Sequence, residues 1–215
     1  MKIRWLGHSC FMITAQDGSV LITDPFDETV GYPLPHYPAN IVSSSHDHFD
    51  HNHFSAVQGD FVKVTQSGET KVGSFTFFGT PTFHDEEKGT KRGQNIVYNI
   101  SVDGLNICHC GDLGHPLNEA LAASIGKVDV LLVPVGGVFT IDAAGAKDTV
   151  DKLSPAVVIP MHYKTADLTF DISDADSFLQ AMDGWDIKKA PNEFIVDAAT
   201  LPQHTILLPD SPVST

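Results

Sequence analysis

Polar and apolar positions alternate from the first residues of the chain. Lys2-Ile3-Arg4-Trp5-Leu6 has a period of two, residues 11–14 are rich in β-formers, and residues 19–24 follow a turn at Asp17-Gly18. An antiparallel meander is therefore predicted at the start. Residues 26–39 have no period and contain Gly31, Pro33, Pro35 and Pro38, which predicts a loop beside whatever Asp24 points towards. Residues 40–44 predict a buried strand that stops at a cluster of histidines. Further strands are predicted over 61–64, 69–72 and 74–83, with turns at Gly68 and Gly73, and a polar loop over 84–94. Residues 95–102 and 105–110 predict a hairpin through Asp103-Gly104.

The pattern then changes. Residues 117–125 and 143–153 place apolar side chains at helical spacing, while 128–135 and 156–160 are short apolar runs of buried-strand type. A helix over 173–182 with Ser173 as its cap, a strand over 204–208 and a frayed tail over 211–215 complete the expectation. His53 is expected to begin a helix after the histidine cluster. Strands first and then alternating helices and strands imply one α/β domain over residues 1–210, with mixed sheets.

Composition narrows the class. At 215 residues, 42% hydrophobic and 19% charged, the chain can bury one core large enough to offset its ordering entropy. The most apolar run, 128–135, contains Asp129 and Pro134 and is far short of the roughly 18–20 residues of a membrane span. The N-terminal residues lack a signal-peptide core, so a cytoplasmic protein is expected. The 27 acidic residues outnumber the 13 basic ones, a net charge of −14 that would repel a phosphate backbone, so no nucleic-acid partner is expected. Cys10, Cys108 and Cys110 cannot all pair and are read as reduced packing residues, Cys110 included, although it adjoins Gly111-Asp112.

Ser45-His46-Asp47-His48-Phe49-Asp50-His51 contains H-x-H-x-D-H. So many imidazoles and a carboxylate in one short segment make a costly core filling, because each needs a polar partner, whereas imidazole nitrogen and carboxylate oxygen are donors that zinc accepts. His84, Asp112 and His162 each stand where a predicted strand stops and a loop begins, the place from which a sheet can present a ligand.

On these residues the sequence resembles the metallo-β-lactamase fold hydrolases. Leu6-Gly7-His8-Ser9, Cys110-Gly111-Asp112-Leu113-Gly114-His115, Pro134-Val135-Gly136-Gly137-Val138-Phe139-Thr140 and Ile159-Pro160-Met161-His162-Tyr163 are similar to the small single-domain branch that includes the L-ascorbate-6-phosphate lactonases. The resemblance implies a four-layered αβ/βα sandwich, mixed β-sheets with flanking helices, and metals at one edge between the sheets. It further implies that His46, His48 and His84 bind a first metal, that Asp50, His51 and His162 bind a second, and that Asp112 bridges them. The expected cofactors are two divalent ions, zinc first, with manganese or iron accepted by the same donors. The expected activity is hydrolysis of a small molecule, a lactone, phosphoester or similar ester or amide, by a metal-bridging hydroxide that Asp50 and Asp112 orient.

An iron-dependent oxygenase on the same fold is the alternative. Diiron members of the fold usually replace a motif histidine with a carboxylate, whereas His48 and His51 are both present, and a non-catalytic metal-binding relative would be expected to lack a ligand. His8 is expected to face the metals, and His115 to orient Asp112 or polarise the substrate. Lys91, Arg92, Thr140 and Lys164 are expected substrate contacts, being cations or a hydroxyl beside ligand-bearing segments. His36, His109 and His204 lack a motif and are read as structural, and His53 is expected to face solvent. The partner is a small molecule, with no membrane, and self-association is compatible with the sequence.

Overall fold

The computed structural model describes residues 1–213. The first sheet contains β1 (Lys2–Gly7), β2 (Cys10–Thr14), β3 (Val20–Thr23), β4 (Ile41–Ser43), β5 (Val62–Val64) and the distant β13 (Glu193–Ile195), in the order β13-β1-β2-β3-β4-β5. The second holds β6 (Gly68–Val72), β7 (Phe75–Phe83), β8 (Gln94–Val102), β9 (Leu105–His109), β10 (Val130–Pro134), β11 (Val157–Met161), β12 (Asp186–Ala190) and β14 (Thr205–Pro209), in the order β12-β14-β11-β10-β9-β8-β7-β6. Three α-helices, α1 (Glu119–Ile125), α2 (Ala143–Leu153) and α3 (Asp176–Ala181), all come from the second half. In the first half the helical turns among the described residues are the 3-10 turns Glu28–Val30 and Phe54–Ala56, so His53 precedes a 3-10 turn and not an α-helix.

Local chemistry explains most of these elements. β10 and β11 are apolar at every position and buried throughout, as parallel strands covered on both faces must be, and β4 is equally buried with Ser43 its one polar residue. The β8–β9 hairpin turns where Asp103 and Gly104 both take positive φ, the conformation of a tight two-residue hairpin turn. Asn118 caps α1 by accepting from the Leu121 amide, and Asp142 caps α2 by accepting from the Gly145 amide. Ser173 does not cap the third helix. That helix starts later, the Asp174 carboxylate accepts from the Asp176 amide, and the Ser173 amide donates to the Gly136 carbonyl. Trp5, Phe11 and Ile22 of the first sheet share one buried cluster with Phe77, Ile107, Leu132 and Ile159 of the second. Each such side chain contributes about 1.5–3 kcal/mol by leaving water.

β12 and β13 were not predicted. β12 is exposed at four of its five positions and β13 is only partly covered, because both are edge strands with no alternating face. Their pairings, Asp186 with Thr205 and Ile3 with Phe194, join distant parts of the chain. Of the tail expected to fray, residues 214 and 215 lie outside the described residues, whereas Ser211 is tied to Asp167 by a 2.8 Å hydrogen bond. No helix among the described residues is long and apolar enough to cross a membrane.

Strand direction positions the site. In the first sheet β1, β2 and β3 alternate in direction and β4 runs parallel to β3, so β1, β3 and β4 all point the same way. In the second sheet β7, β8 and β9 alternate and β10 and β11 run parallel to β9, so β7, β9, β10 and β11 share a direction. Ligand crevices in α/β sheets form where such carboxyl ends collect. Residues 8, 24, 46–51, 84, 112 and 162 all follow the ends of these strands.

Candidate metal centre

The loops at those strand ends converge. One donor atom each from His46, His48 and His84 lie within 4.8 Å of one another, and so do donor atoms of His8, Asp50, His51 and His162. A third grouping, His46, His51 and Asp112, links the two. His46 Nε2 is 3.0 Å from His48 Nδ1, so these rings meet nitrogen to nitrogen. Asp112 Oδ2 lies 3.2 Å from His84 Nε2 and 3.3 Å from His162 Nε2, and its Oδ1 lies 3.2 Å from His51 Nε2. The structure therefore brings together all seven side chains of the expected ligand sets, with Asp112 between the two groups.

Several residues hold the donors in place, and the sequence reading assigned no site role to the first of them. Asp24 Oδ2 lies 2.8 Å from His51 Nδ1, which leaves His51 Nε2 turned inward. The same carboxylate accepts from the Ser45 amide and hydroxyl, and the Ser45 hydroxyl lies 2.9 Å from His46 Nδ1. Carboxylates that fix the tautomer and orientation of ligating histidines in this way are a common support for metal sites. The available signal was position: Asp24 follows a strand and precedes a loop without period. Asn95 is the second support. Its amide group donates to the Cys110 carbonyl and its carbonyl accepts from the Asp112 amide, which clamps the turn between them. Gly111 in that turn has φ +54°, and an added Cβ would meet the side chains of Asn95 and Ser45.

The electrostatics favour a cation. Burial opposes charge on His51, but Asp112, Asp50 and Asp24 outweigh it and raise its pKa well above the ordinary value. Burial pushes the Asp112 carboxyl up, and the neighbouring His162 and His51 reverse that and hold it well below the carboxylate range. His8 is pushed down to about 4 by burial and by His162, and His46 to about 3 by burial and His51. His51 Nε2 and Asp112 Oδ1 are buried and face each other at 3.2 Å without the geometry of a hydrogen bond, and neither has another hydrogen-bond partner among the described residues. A buried donor or acceptor left so costs about 1–3 kcal/mol, which a coordinated ion removes. The donor separations of 3.0–3.3 Å are also close to the ligand–ligand edge of about 3.3 Å set by zinc bonds of about 2.0–2.1 Å in a tetrahedron. The residues present fit a metal.

The other expected site residues divide. His8 is inside the second group, with Nε2 3.3 Å from Asp50 Oδ2 and its ring centroid 4.2 Å from that of His162. His115 is not brought to the cluster: its Nε2 accepts from the amide of Phe83, the residue before His84, and its Nδ1 lies 2.9 Å from the Pro116 carbonyl, so both nitrogens are occupied by backbone. Lys164 is likewise engaged, its ammonium donating to the carbonyls of Leu168 and Phe170 at 2.7 Å. Lys91 is exposed and paired with Glu87, and the Thr140 hydroxyl donates to the Ile141 carbonyl. Arg92 alone of the four expected substrate contacts lines the cavity over the donors, about 280 Å³ in volume. Its backbone is fixed by Asp85, whose carboxylate accepts from the amides of Glu87, Gly89, Lys91 and Arg92 at 2.8–2.9 Å.

Two sheets whose strand ends deliver this donor set define a metallo-β-lactamase fold. The Beta-lactamase superfamily domain matches residues 2–162, and the chain belongs to that superfamily as one of its metal-dependent hydrolases. It is similar to UPF0173 metal-dependent hydrolases of Carboxydothermus hydrogenoformans, 32% identical over 77% of this chain and 85% of the relative, and of Archaeoglobus fulgidus, 28% identical over 85% and 90%. Among solved structures, a Thermotoga maritima protein assigned to the Zn-dependent hydrolases of the metallo-β-lactamase superfamily aligns with a TM-score of 0.81 at 36% identity, covering 97% of this chain and 98% of that one. A diiron β-hydroxylase of Streptomyces venezuelae has a TM-score of 0.61 at 15% identity over 85% of this chain and 49% of that one, a likeness of fold alone.

Proposed function

We propose that the chain hydrolyses a small-molecule ester, lactone or phosphoester using two divalent cations, zinc in the first instance, one at each donor group. The observation that carries this reading is the position of one atom: Asp112 Oδ2 stands 3.2 Å from a histidine of the first group and 3.3 Å from a histidine of the second. Two ions in such a site supply Lewis acidity and a water acidified to a pKa of about 7. The chain's own residues do the rest. Asp112 ties the two halves together, and Asp50, which lines the cavity and lies 3.3 Å from His8 Nε2, provides a carboxylate that would help hold the second ion and orient the attacking water. His8 is a positioning residue for Asp50. Two divalent charges exceed those of Asp50 and Asp112, so the site attracts anionic or carbonyl oxygen despite the acidic chain. A reducing, cytoplasmic setting belongs to the same proposal and is supported by three buried free thiols, Cys10, Cys108 and Cys110.

The test is elemental analysis of protein purified without chelator, followed by assays with 4-nitrophenyl acetate, a simple γ-lactone and bis(4-nitrophenyl) phosphate. Close to two zinc equivalents, with activity lost to a chelator and restored by zinc, is expected. One equivalent of iron and no hydrolysis of any of the three would overturn the reading in favour of the oxygenase.

A further inference from the structure

We propose that the substrate carries a planar apolar group next to the bond that is cut and an anionic group that meets Arg92, an inference that rests on the hydrolase reading of the same site. The mouth of the cavity is a collar of Phe49, Phe139 and Phe170. Phe49 is 52% exposed and Phe139 38% exposed, although each is a large ring that water solvates poorly. The rings are not scattered. Phe170 meets Phe49 at 6.2 Å and 87°, and Phe139 at 6.5 Å and 78°, both edge-to-face, so the three present a continuous aromatic rim beside His48, His84 and His162. Exposed apolar patches of this kind beside convergent polar groups mark ligand sites.

Arg92 supplies the second half of the argument. The chain has 27 acidic residues against 13 basic ones, yet Arg92 forms no salt bridge among the described residues, while its neighbour Lys91 is paired with Glu87. Its guanidinium stacks 5.4 Å from the Phe139 centroid and spends one N–H on the Val138 carbonyl at 3.3 Å. Three or more donors of the fork remain for a planar anion. Arg92 and His48 also line a second, larger groove of about 630 Å³, so the arginine stands where the two spaces meet. The 280 Å³ cavity exceeds the roughly 150 Å³ that holds a benzene ring, which leaves room for a phenyl-sized group together with the reacting centre.

The experiment is calorimetric titration of the zinc-loaded protein with phenylphosphonate and methylphosphonate, neither of which contains a hydrolysable ester, with zinc content measured on every variant. Phenylphosphonate is expected to bind at least tenfold more tightly than methylphosphonate. Phe139→Ala should reduce that ratio below threefold. Arg92→Gln should weaken both phosphonates about tenfold, and Arg92→Lys should fall between. Equal affinity for the two phosphonates in the unaltered protein, or no effect of Arg92→Gln at unchanged zinc content, would overturn the inference. Selective phosphonate binding by a protein that hydrolyses none of the three assay substrates would sink the proposed function and leave the recognition intact; hydrolysis without a phenyl preference would do the reverse.

Discussion

Asp24 Oδ2 lies 2.8 Å from His51 Nδ1, joining the end of β3 to a donor 27 residues further along. Because this contact leaves His51 Nε2 facing the centre, the carboxylate controls a donor it does not share. Asp24→Asn is expected to lower zinc affinity about 10- to 100-fold, the usual effect of losing such a support. Competition against a chromophoric chelator measures it, and an affinity unchanged from the unaltered protein would contradict the role.

Removing a donor from either group should be visible in stoichiometry before activity is assayed. His46→Ala and His162→Ala are each expected to bind about one zinc equivalent instead of two. Asp112→Ala, which touches both groups, should lower kcat/KM by at least ~10³-fold, about 4 kcal/mol of transition-state stabilisation. The far-ultraviolet spectrum should stay as it is, since all three side chains lie beyond the strand ends. Full turnover in any of the three would count against a two-metal mechanism.

Acid should destabilise the zinc-free protein well above the carboxylate range. His8 and His46 have native pKa values near 4 and 3 against about 6.5 unfolded, so between those limits the unfolded chain binds protons that the native one refuses. Stability therefore falls as pH falls from 6.5 towards 4, by about 3 kcal/mol from His8 alone. His51 has the opposite shift: its contribution is complete below 6.5 and is lost as pH rises towards its raised native pKa. Urea denaturation of chelator-treated protein from pH 4.5 to 9 should show a maximum near 6.5. A flat profile, or stability that rises on acidification below 6.5, would refute the assignment. Zinc should abolish the alkaline limb, because the metal replaces the proton on His51.

Gly111→Ala should be costly for a different reason. The residue has φ +54° and a Cβ would press on Asn95 and Ser45, the two residues that hold Asp112 and His46. A loss of about 2–4 kcal/mol is expected from strain and overpacking, with a Tm fall of roughly 5–12 °C. Zinc binding should weaken alongside, and a Tm within 1–2 °C of the original would rule out the tight turn.

The donors were legible in the sequence because ligand chemistry is written in residue types and spacing. His46, His48, Asp50 and His51 are crowded into one segment, and His84, Asp112 and His162 each follow a predicted strand, so they stood out as candidate donors on local reading, while their division between two metals came from the family resemblance. The interior strands were legible for the same reason, since burial on both faces imposes an unbroken apolar pattern on β10 and β11. The edge strands β12 and β13 left no such pattern, because an exposed edge constrains few side chains.

What only the tertiary structure decided is which partner each polar side chain has. His115 and Lys164 have the residue types of a catalytic or phosphate-binding group, yet each spends its hydrogen bonds on nearby backbone. Asp24 carries no motif yet supports a donor, and of the four residues expected to contact substrate, Arg92 lines the cavity. Periodicity and spacing report the few residues on either side of a position. The direction of seven strands, which brings distant loops to one edge, is set by packing the two sheets on a common core, and a hydrogen bond across that edge exists only once the core has formed.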